Sequence, residues 1–271
     1  MRNERSIHIS RAHRAVLKAG SSLLTDPKRK GVNTKFLAKL AGEVKSLQAR
    51  NVQCLIVTSG AIAAGMFEMG LDRKPKEIAK LQALAAVGQC KLMHAYETAF
   101  RRSGLRVAQI LLTREDLSDK QRYSNARKTL EELFRNGIIP VVNENDTVAV
   151  EEIKFGNNDI LGALVAQLCG AGLLVLLTDT DGLFEEDPRL NPKAKLIPSV
   201  SRIHSGLERA ASRSGSSVGT GGMKSKILAA KSVMKSGIPM VIANGNARRI
   251  LPRLLDSEPI GTFFFLASGK R

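Results

Sequence analysis

The sequence predicts an α/β protein, an α/β/α sandwich with a mainly parallel central sheet. Two observations carry that expectation. Short aliphatic runs recur along all 271 residues, most of them nearly continuous rather than alternating, as strands buried on both faces require. Longer segments of helical pattern lie between them, several followed by glycine, the residue that most readily stops a helix. Strands alternating with helices stack as helices on both faces of a parallel sheet.

In chain order, a strand is expected from Ala15 to Gly20 and a helix from Asn33 to Ala49. "CLIVTSG" (Cys54 to Gly60) reads as the second strand. It leads through glycine-bearing residues towards a long helix from Lys76 to Arg102, with Gly104 as its stop. Val107 to Thr113 is the third strand, Asp119 to Asn136 a helix closed by Gly137, and Ile138 to Asn143 the fourth strand. A helix from Asn158 to Cys169, a strand from Leu173 to Asp179, a helix from Met223 to Ser236 and a strand from Pro239 to Gly245 complete the series. "SRSGSSVGTGG" (Ser212 to Gly222) breaks the rhythm, being almost wholly Ser and Gly, and reads as a mobile loop leading into a helix.

Composition narrows the class. With 43% hydrophobic and 25% charged residues, the chain fits one globular domain, residues 1–271, and neither a disordered nor a fibrous protein. The net charge of +17 favours anionic ligands without choosing among nucleotide, nucleic acid and acidic metabolite. Cys54, Cys90 and Cys169 sit in apolar segments with no CxxC pairing, so neither a zinc site nor a disulfide framework is indicated; each thiol is expected to be a small core residue of a reduced, cytoplasmic protein. No apolar run approaches the roughly 20 residues of a membrane span, and the N-terminus lacks an export signal.

In a parallel sheet, ligands bind beyond the carboxyl ends of the strands. Those ends carry KAGSS (Lys18 to Ser22), TSGAIAAG (Thr58 to Gly65), NEND (Asn143 to Asp146), TDTDG (Thr178 to Gly182) and ANGN (Ala243 to Asn246). Glycine there lets backbone approach a ligand, and a helix start offers free N–H groups to an anion. A tight strand-to-helix turn with a snorkelling Lys18 is the competing explanation, and each motif alone leans only slightly towards a ligand site. GTGGMKSK (Gly219 to Lys226) lacks Walker A spacing, and GxGxxG is absent. A glycine-rich loop ending in Lys224 and Lys226 can clasp a polyphosphate, though a plain surface loop competes with that reading. The cluster of Asn143, Asn145, Asp146, Asn157, Asn158 and Asp159 exceeds what turns and helix caps need. Amides beside carboxylates suit a zwitterion bearing amine and acid groups. The four histidines, His8, His13, His94 and His204, lie outside these clusters. A phosphoryl acceptor that is already ionised needs no general base, only charge neutralisation and alignment.

The order KxGSS, VTSGAIAAG, LQALAAVGQ, AQILLTREDL, NARKTL, PVVNENDTVA, FGNNDILGALVA, LLTDTDGLF, DPRxNPxA and GTGGMxSK, from about Ala15 to Thr262, resembles the glutamate 5-kinases of the amino acid kinase superfamily. The resemblance implies ATP-dependent phosphorylation of the L-glutamate side-chain carboxylate to γ-glutamyl phosphate, the first step towards proline. It implies that Ser59, Gly60, Asn143, Asp146, Asn157 and Asn158 form the glutamate site. Lys18, Thr178, Asp179, Thr220, Gly221, Gly222, Met223, Lys224, Ser225 and Lys226 would hold ATP. Lys18, Lys226 and Asp159 would be catalytic, the lysines neutralising the phosphoryl group and Asp159 orienting them, with Mg2+ bridging phosphate oxygens. It also implies a cytoplasmic homo-oligomer, dimer or tetramer, with functional coupling to a glutamyl phosphate reductase. Two features depart from the family's pattern. Asn157 stands where members usually carry Asp, and the sequence looks like the catalytic domain alone, so the C-terminal PUA domain of many bacterial members is expected to be absent. Two other functions remain open: a sibling kinase for another carboxylate or phosphate acceptor, and a basic RNA-binding module through "PKRK", "FRRSGLR" and "ARRILPR". Aromatic content of 4% without Trp makes base stacking, and so nucleic-acid binding, the weaker alternative.

Overall fold

A computed structural model describes residues 2–26, 28, 30–149, 158–208 and 222–267. The strands are β1 (Arg14–Ala19), β2 (Thr25–Asp26), β3 (Gly31–Val32), β4 (Gln53–Val57), β5 (Val107–Leu112), β6 (Ile139–Glu144), β7 (Leu173–Thr178), β8 (Ser199–Val200), β9 (Met240–Asn244) and β10 (Thr262–Phe264). Eight of them form one sheet in the order β5-β6-β4-β1-β7-β9-β10-β8, while β2 and β3 pair apart as a small antiparallel ribbon. Among the described residues, the β9–β10 pair is the one antiparallel pair of the main sheet. The mainly parallel sheet therefore stands as the sequence predicts.

Described helices are α1 (Arg2–Ser10), α2 (Ser21–Leu24), α3 (Thr34–Gln48), α4 (Ala61–Glu68), α5 (Ile78–Arg102), α6 (Arg114–Ser118), α7 (Lys120–Arg135), α8 (Asn158–Leu168), α9 (Met223–Lys235) and α10 (Ile250–Leu255). Their packing follows the pleat, in which successive strand residues face opposite sides. Leu17, Ile56 and Val175 join a core with Ile9 of α1, Leu40 and Val44 of α3, Leu92 and Phe100 of α5, and Leu254 of α10. Val16, Leu55 and Leu174 join the opposite core, with Leu130 of α7, Leu161 and Val165 of α8, and Ile227 and Val233 of α9. Each of these side chains contributes roughly 1.5–3 kcal/mol by leaving water, so both helical layers are anchored to the sheet.

Local chemistry sets several boundaries. Asn33 caps α3 by accepting from the Phe36 N–H, and Asp119 caps α7 through Arg122 N–H. Thr113 and Asp116 bond each other's backbone N–H as a capping box at α6. Gly60 precedes α4 with φ +91°, a left-handed conformation that side chains resist. Helices α4 and α5 touch backbone to backbone: a Cβ added at Gly88 would lie 1.8 Å from the Ala61 carbonyl oxygen, and one at Gly65 would lie 2.0 Å from that of Leu84.

One expectation is corrected. Cys54 and Cys169 are buried, but Cys90 is exposed on α5, because the helix buries one stripe and this residue falls on its outer side. Helix α1 lies in a stretch for which the sequence pattern gives no element. It is held by buried Ile9 and by the Arg5 guanidinium, which stacks 5.1 Å from the Phe263 ring centroid and donates to the Glu258 carbonyl.

Candidate active site

Lys18 lies near the end of β1, opposite Val57 of β4 and Leu176 of β7. Two residues after Val16, it faces the same side of the sheet, where α8 begins. Gly162 of that helix packs over the Lys18 stem, where even an added Cβ would find ordinary contact at 3.5 Å from the Lys18 Cβ. Asp159, in the first turn of α8, is 0% exposed and lies between two ammonium groups. Lys18 Nζ is 2.7 Å from its Oδ1 and Lys226 Nζ is 2.9 Å from its Oδ2. Ser225 Oγ donates to the same Oδ2 at 2.6 Å. Ser225 and Lys226 come from the first turn of α9, which opens at Gly222. Lys18 is 6% and Lys226 8% exposed, so the three charges meet almost out of water.

Two cations around one anion leave this group with net positive charge. Burial by itself would raise the Asp159 carboxyl, but Lys18, Lys226 and the Ser225 hydroxyl overcome it and hold the group well below the usual carboxylate range. Burial pushes the Lys18 ammonium down, Asp159 offsets that in part, and Lys226 adds to the depression. The first turns of α8 and α9 contribute N–H groups and the positive ends of two helix dipoles. Such a site attracts a polyanion and neutralises charge developing on it.

Next to it lies a network of neutral polar groups. Asn158 Nδ2 donates to the Thr58 carbonyl oxygen at 2.6 Å and to Asn143 Oδ1 at 2.8 Å. Asn143 Nδ2 donates to Gln89 Oε1 at 2.9 Å, and Gln89 Nε2 to Gln109 Oε1 at 3.3 Å. Tyr96 Oη donates to Thr58 Oγ1 at 3.0 Å. Asn143 is 2% exposed with both ends of its amide engaged, and so supports Asn158. Ser59, Gly60 and Asp146 are half-buried at the same strand ends. Asn145 serves a turn, its Oδ1 accepting from Thr147 Oγ1 and its carbonyl from Ala149 N–H.

Farther along the sheet edge, Thr178 closes β7 and its hydroxyl donates to exposed Asp179 at 3.0 Å. Met223 is half-buried and Lys224 exposed at the start of α9. Asn157, Thr220, Gly221 and most of the Ser/Gly stretch lie outside the described residues. Sequence reasoning missed Thr58, Gln89 and Tyr96. Gln89 was detectable in principle, because it falls on the stripe of α5 that carries buried Leu81, Ala85, Leu92 and Tyr96, and a carboxamide there requires a partner.

A central lysine held by an aspartate at the start of α8, with a second lysine from the start of α9, places this fold in a recognisable class. The chain belongs to the amino acid kinase family, whose sequence model matches residues 13–244. Within it, the chain is 50% identical over 251 residues to the glutamate 5-kinase of Pelobacter propionicus, 93% of this chain and 67% of that protein. It is 50% identical over 263 residues to that of Geobacter metallireducens, covering 97% of the chain and 70% of the relative. The glutamate 5-kinase of Chromobacterium violaceum is 51% identical over 264 residues, again 97% and 70%. Among solved structures, a UMP kinase from Bacillus anthracis superposes with a TM-score of 0.62 at 16% identity, covering 95% of this chain and 97% of that one. An isopentenyl phosphate kinase gives 0.61 at 17%, covering 93% and 100%. At such identities the structural likeness speaks for the fold alone.

Proposed function

We propose that the chain transfers the γ-phosphoryl group of ATP to the side-chain carboxylate of L-glutamate, giving γ-glutamyl phosphate and ADP, the entry step of proline synthesis. The supporting observation is the buried Lys18–Asp159–Lys226 group, with nitrogen–oxygen distances of 2.7 and 2.9 Å. Identity near 50% to glutamate 5-kinases over more than nine-tenths of the chain supports the choice of acceptor.

In this reading the nucleotide lies along the ends of β7 and β9, with Thr178, Asp179 and residues 220–226 around its phosphates. Glutamate lies at the ends of β4 and β6, near Ser59, Gly60, Asp146, Asn157 and Asn158, with Asn143 behind them. A γ-carboxylate oxygen attacks the γ-phosphorus, the new P–O bond forms as the bond to the β-phosphate oxygen breaks, and ADP leaves. The acceptor has an ordinary pKa near 4.3 and is ionised at neutral pH, so no proton moves in this step. Lys18 and Lys226 neutralise the transferring phosphoryl oxygens, and Asp159 fixes both ammonium groups so that little reorganisation accompanies transfer. Among the described residues no set of three His, Cys or acidic side chains converges on one point. Mg2+ bound with the nucleotide would supply further positive charge at the phosphoryl group.

The proposal extends to a cytoplasmic homo-oligomer, for which Met69 and Leu71, exposed just beyond α4, offer apolar surface. It extends also to coupling with a glutamyl phosphate reductase, since an acyl phosphate is short-lived in water. ADP release measured with L-glutamate, L-aspartate, N-acetylglutamate and UMP as acceptors tests the assignment. Turnover confined to L-glutamate is expected; turnover with another acceptor in preference to glutamate would overturn it.

A further inference from the structure

The polar network beside the charged group has a fixed direction. Its anchor is the Thr58 carbonyl oxygen, which can only accept, so the amide nitrogen of Asn158 must face it. That same nitrogen also faces Asn143, whose Oδ1 must therefore be the accepting end, turning its Nδ2 to Gln89. Gln89 is thereby required to present Oε1 to Asn143 and Nε2 to Gln109. Both N–H groups of Asn158 are consumed inside the protein. Its Oδ1 is the end of the amide left for a ligand, on a half-buried side chain immediately before Asp159.

We infer that Gln89 is a positioning residue for substrate selection. Through Asn143 it holds the Asn158 amide with its oxygen outward, as an acceptor for the α-ammonium group of the amino-acid substrate. The inference rests on the function proposed above and deepens it by naming what reads the ammonium and what keeps that reader oriented. The geometry supports Gln89 in this role independently of the ligand. It is 8% exposed and follows Gly88, where α5 meets α4 backbone to backbone, so its starting point is rigid. If Gln89 offered no acceptor, Asn143 Nδ2 would be buried without a partner. Turning Asn143 over to satisfy that group would set its Nδ2 against the Asn158 Nδ2 that the Thr58 carbonyl oxygen still holds, donor against donor, and displace the Asn158 amide from its place.

The test compares L-glutamate with glutarate, the same diacid without the ammonium group. Gln89→Met removes the acceptor at similar volume. It should raise the KM for L-glutamate about tenfold, the scale of one hydrogen bond to a charged group, while the KM for ATP and the Ki of glutarate against L-glutamate stay within about twofold of wild type. Gln89→Glu keeps an accepting oxygen for Asn143 and should restore the KM for L-glutamate to within about threefold of wild type. Gln109→Leu cuts only the exposed end of the network, where folding is not at risk, and should give a smaller change in the same direction. A Gln89→Met enzyme in which glutamate and glutarate weaken in equal proportion, or in which neither changes, would overturn the inference. Wild-type protein that does not phosphorylate L-glutamate would overturn the proposed function together with it, whereas wild-type turnover with unselective variants would overturn this inference alone.

Discussion

Replacing Asp159 with Asn removes one negative charge and almost no volume from the centre of the molecule, so the cost can be worked from the geometry. The carboxylate faces Lys18 at 2.7 Å and Lys226 at 2.9 Å. At an effective dielectric of about 20, each attraction is gross roughly 6 kcal/mol, most of which is offset by taking the charges out of water. Deleting one partner of such a buried set leaves the others uncompensated and costs about 3–5 kcal/mol. For a chain of this size that lowers Tm by roughly 10 °C. The pH dependence follows in sign. Burial already depresses Lys18 in the folded state, and losing Asp159 depresses it further. Between that lowered value and the unfolded lysine value near 10.4 the unfolded chain binds more protons, so stability rises with pH. The deficit of Asp159→Asn should therefore shrink between pH 7 and pH 10. In acid it should shrink too: the depressed carboxyl of Asp159 stabilises wild type above the unfolded value near 3.9, and that contribution is lost as pH falls below it. Urea titrations of both proteins across this range measure the difference. A deficit under about 1 kcal/mol at pH 7, or one that widens towards pH 10, would refute the electrostatic reasoning.

Three further outcomes are expected. Lys226→Ala should lower kcat by about 10²–10³ while the chain still folds and binds nucleotide, because charge stabilisation in the transition state is lost; a kcat within threefold of wild type, measured by ADP release, would place that stabilisation elsewhere. Gly88→Ala should destabilise the protein by roughly 1–3 kcal/mol or more, since the new Cβ would lie 1.8 Å from the Ala61 carbonyl oxygen and force α4 and α5 apart; an unchanged Tm would contradict the close approach. In native protein a disulfide reagent should titrate Cys90 alone, because burial pushes Cys54 up to about 12 and Cys169 up to about 11; more than one fast-reacting thiol would count against this placement.

Most of the sheet was legible because its strands are buried on both faces and so read as aliphatic runs. β1, β5, β6, β7 and β9 fall within one residue of the expected bounds, and β4 ends three residues before its expected end. Helices α3, α5, α7, α8 and α9 were equally clear, marked by periodicity and, for α5, α7 and α9, by glycine beyond their ends. What escaped was short or fixed by distant partners. β10 is three residues long and antiparallel to β9, and α1 depends on Phe263 and Glu258, far along the chain. The charged group was legible only in part: Lys18, Asp159 and Lys226 stood in separate motifs that the family resemblance alone joined, and their contact becomes visible once the end of β1 meets the first turns of α8 and α9. Ser225 was grouped with the nucleotide residues, and its hydroxyl donates to Asp159. Asn143 appeared as one polar residue among six, and its place behind Asn158 depends on Gln89, which approaches from α5.

The most direct test of the central claim is to trap the product with hydroxylamine and determine which carboxyl was activated. Wild-type protein with ATP, Mg2+ and L-glutamate should yield γ-glutamyl hydroxamate, identified by its fragment masses, and Lys226→Ala should yield little. An α-hydroxamate, or ADP formation with no hydroxamate at all, would mean that the Lys18–Asp159–Lys226 group does not drive phosphoryl transfer to the glutamate side chain.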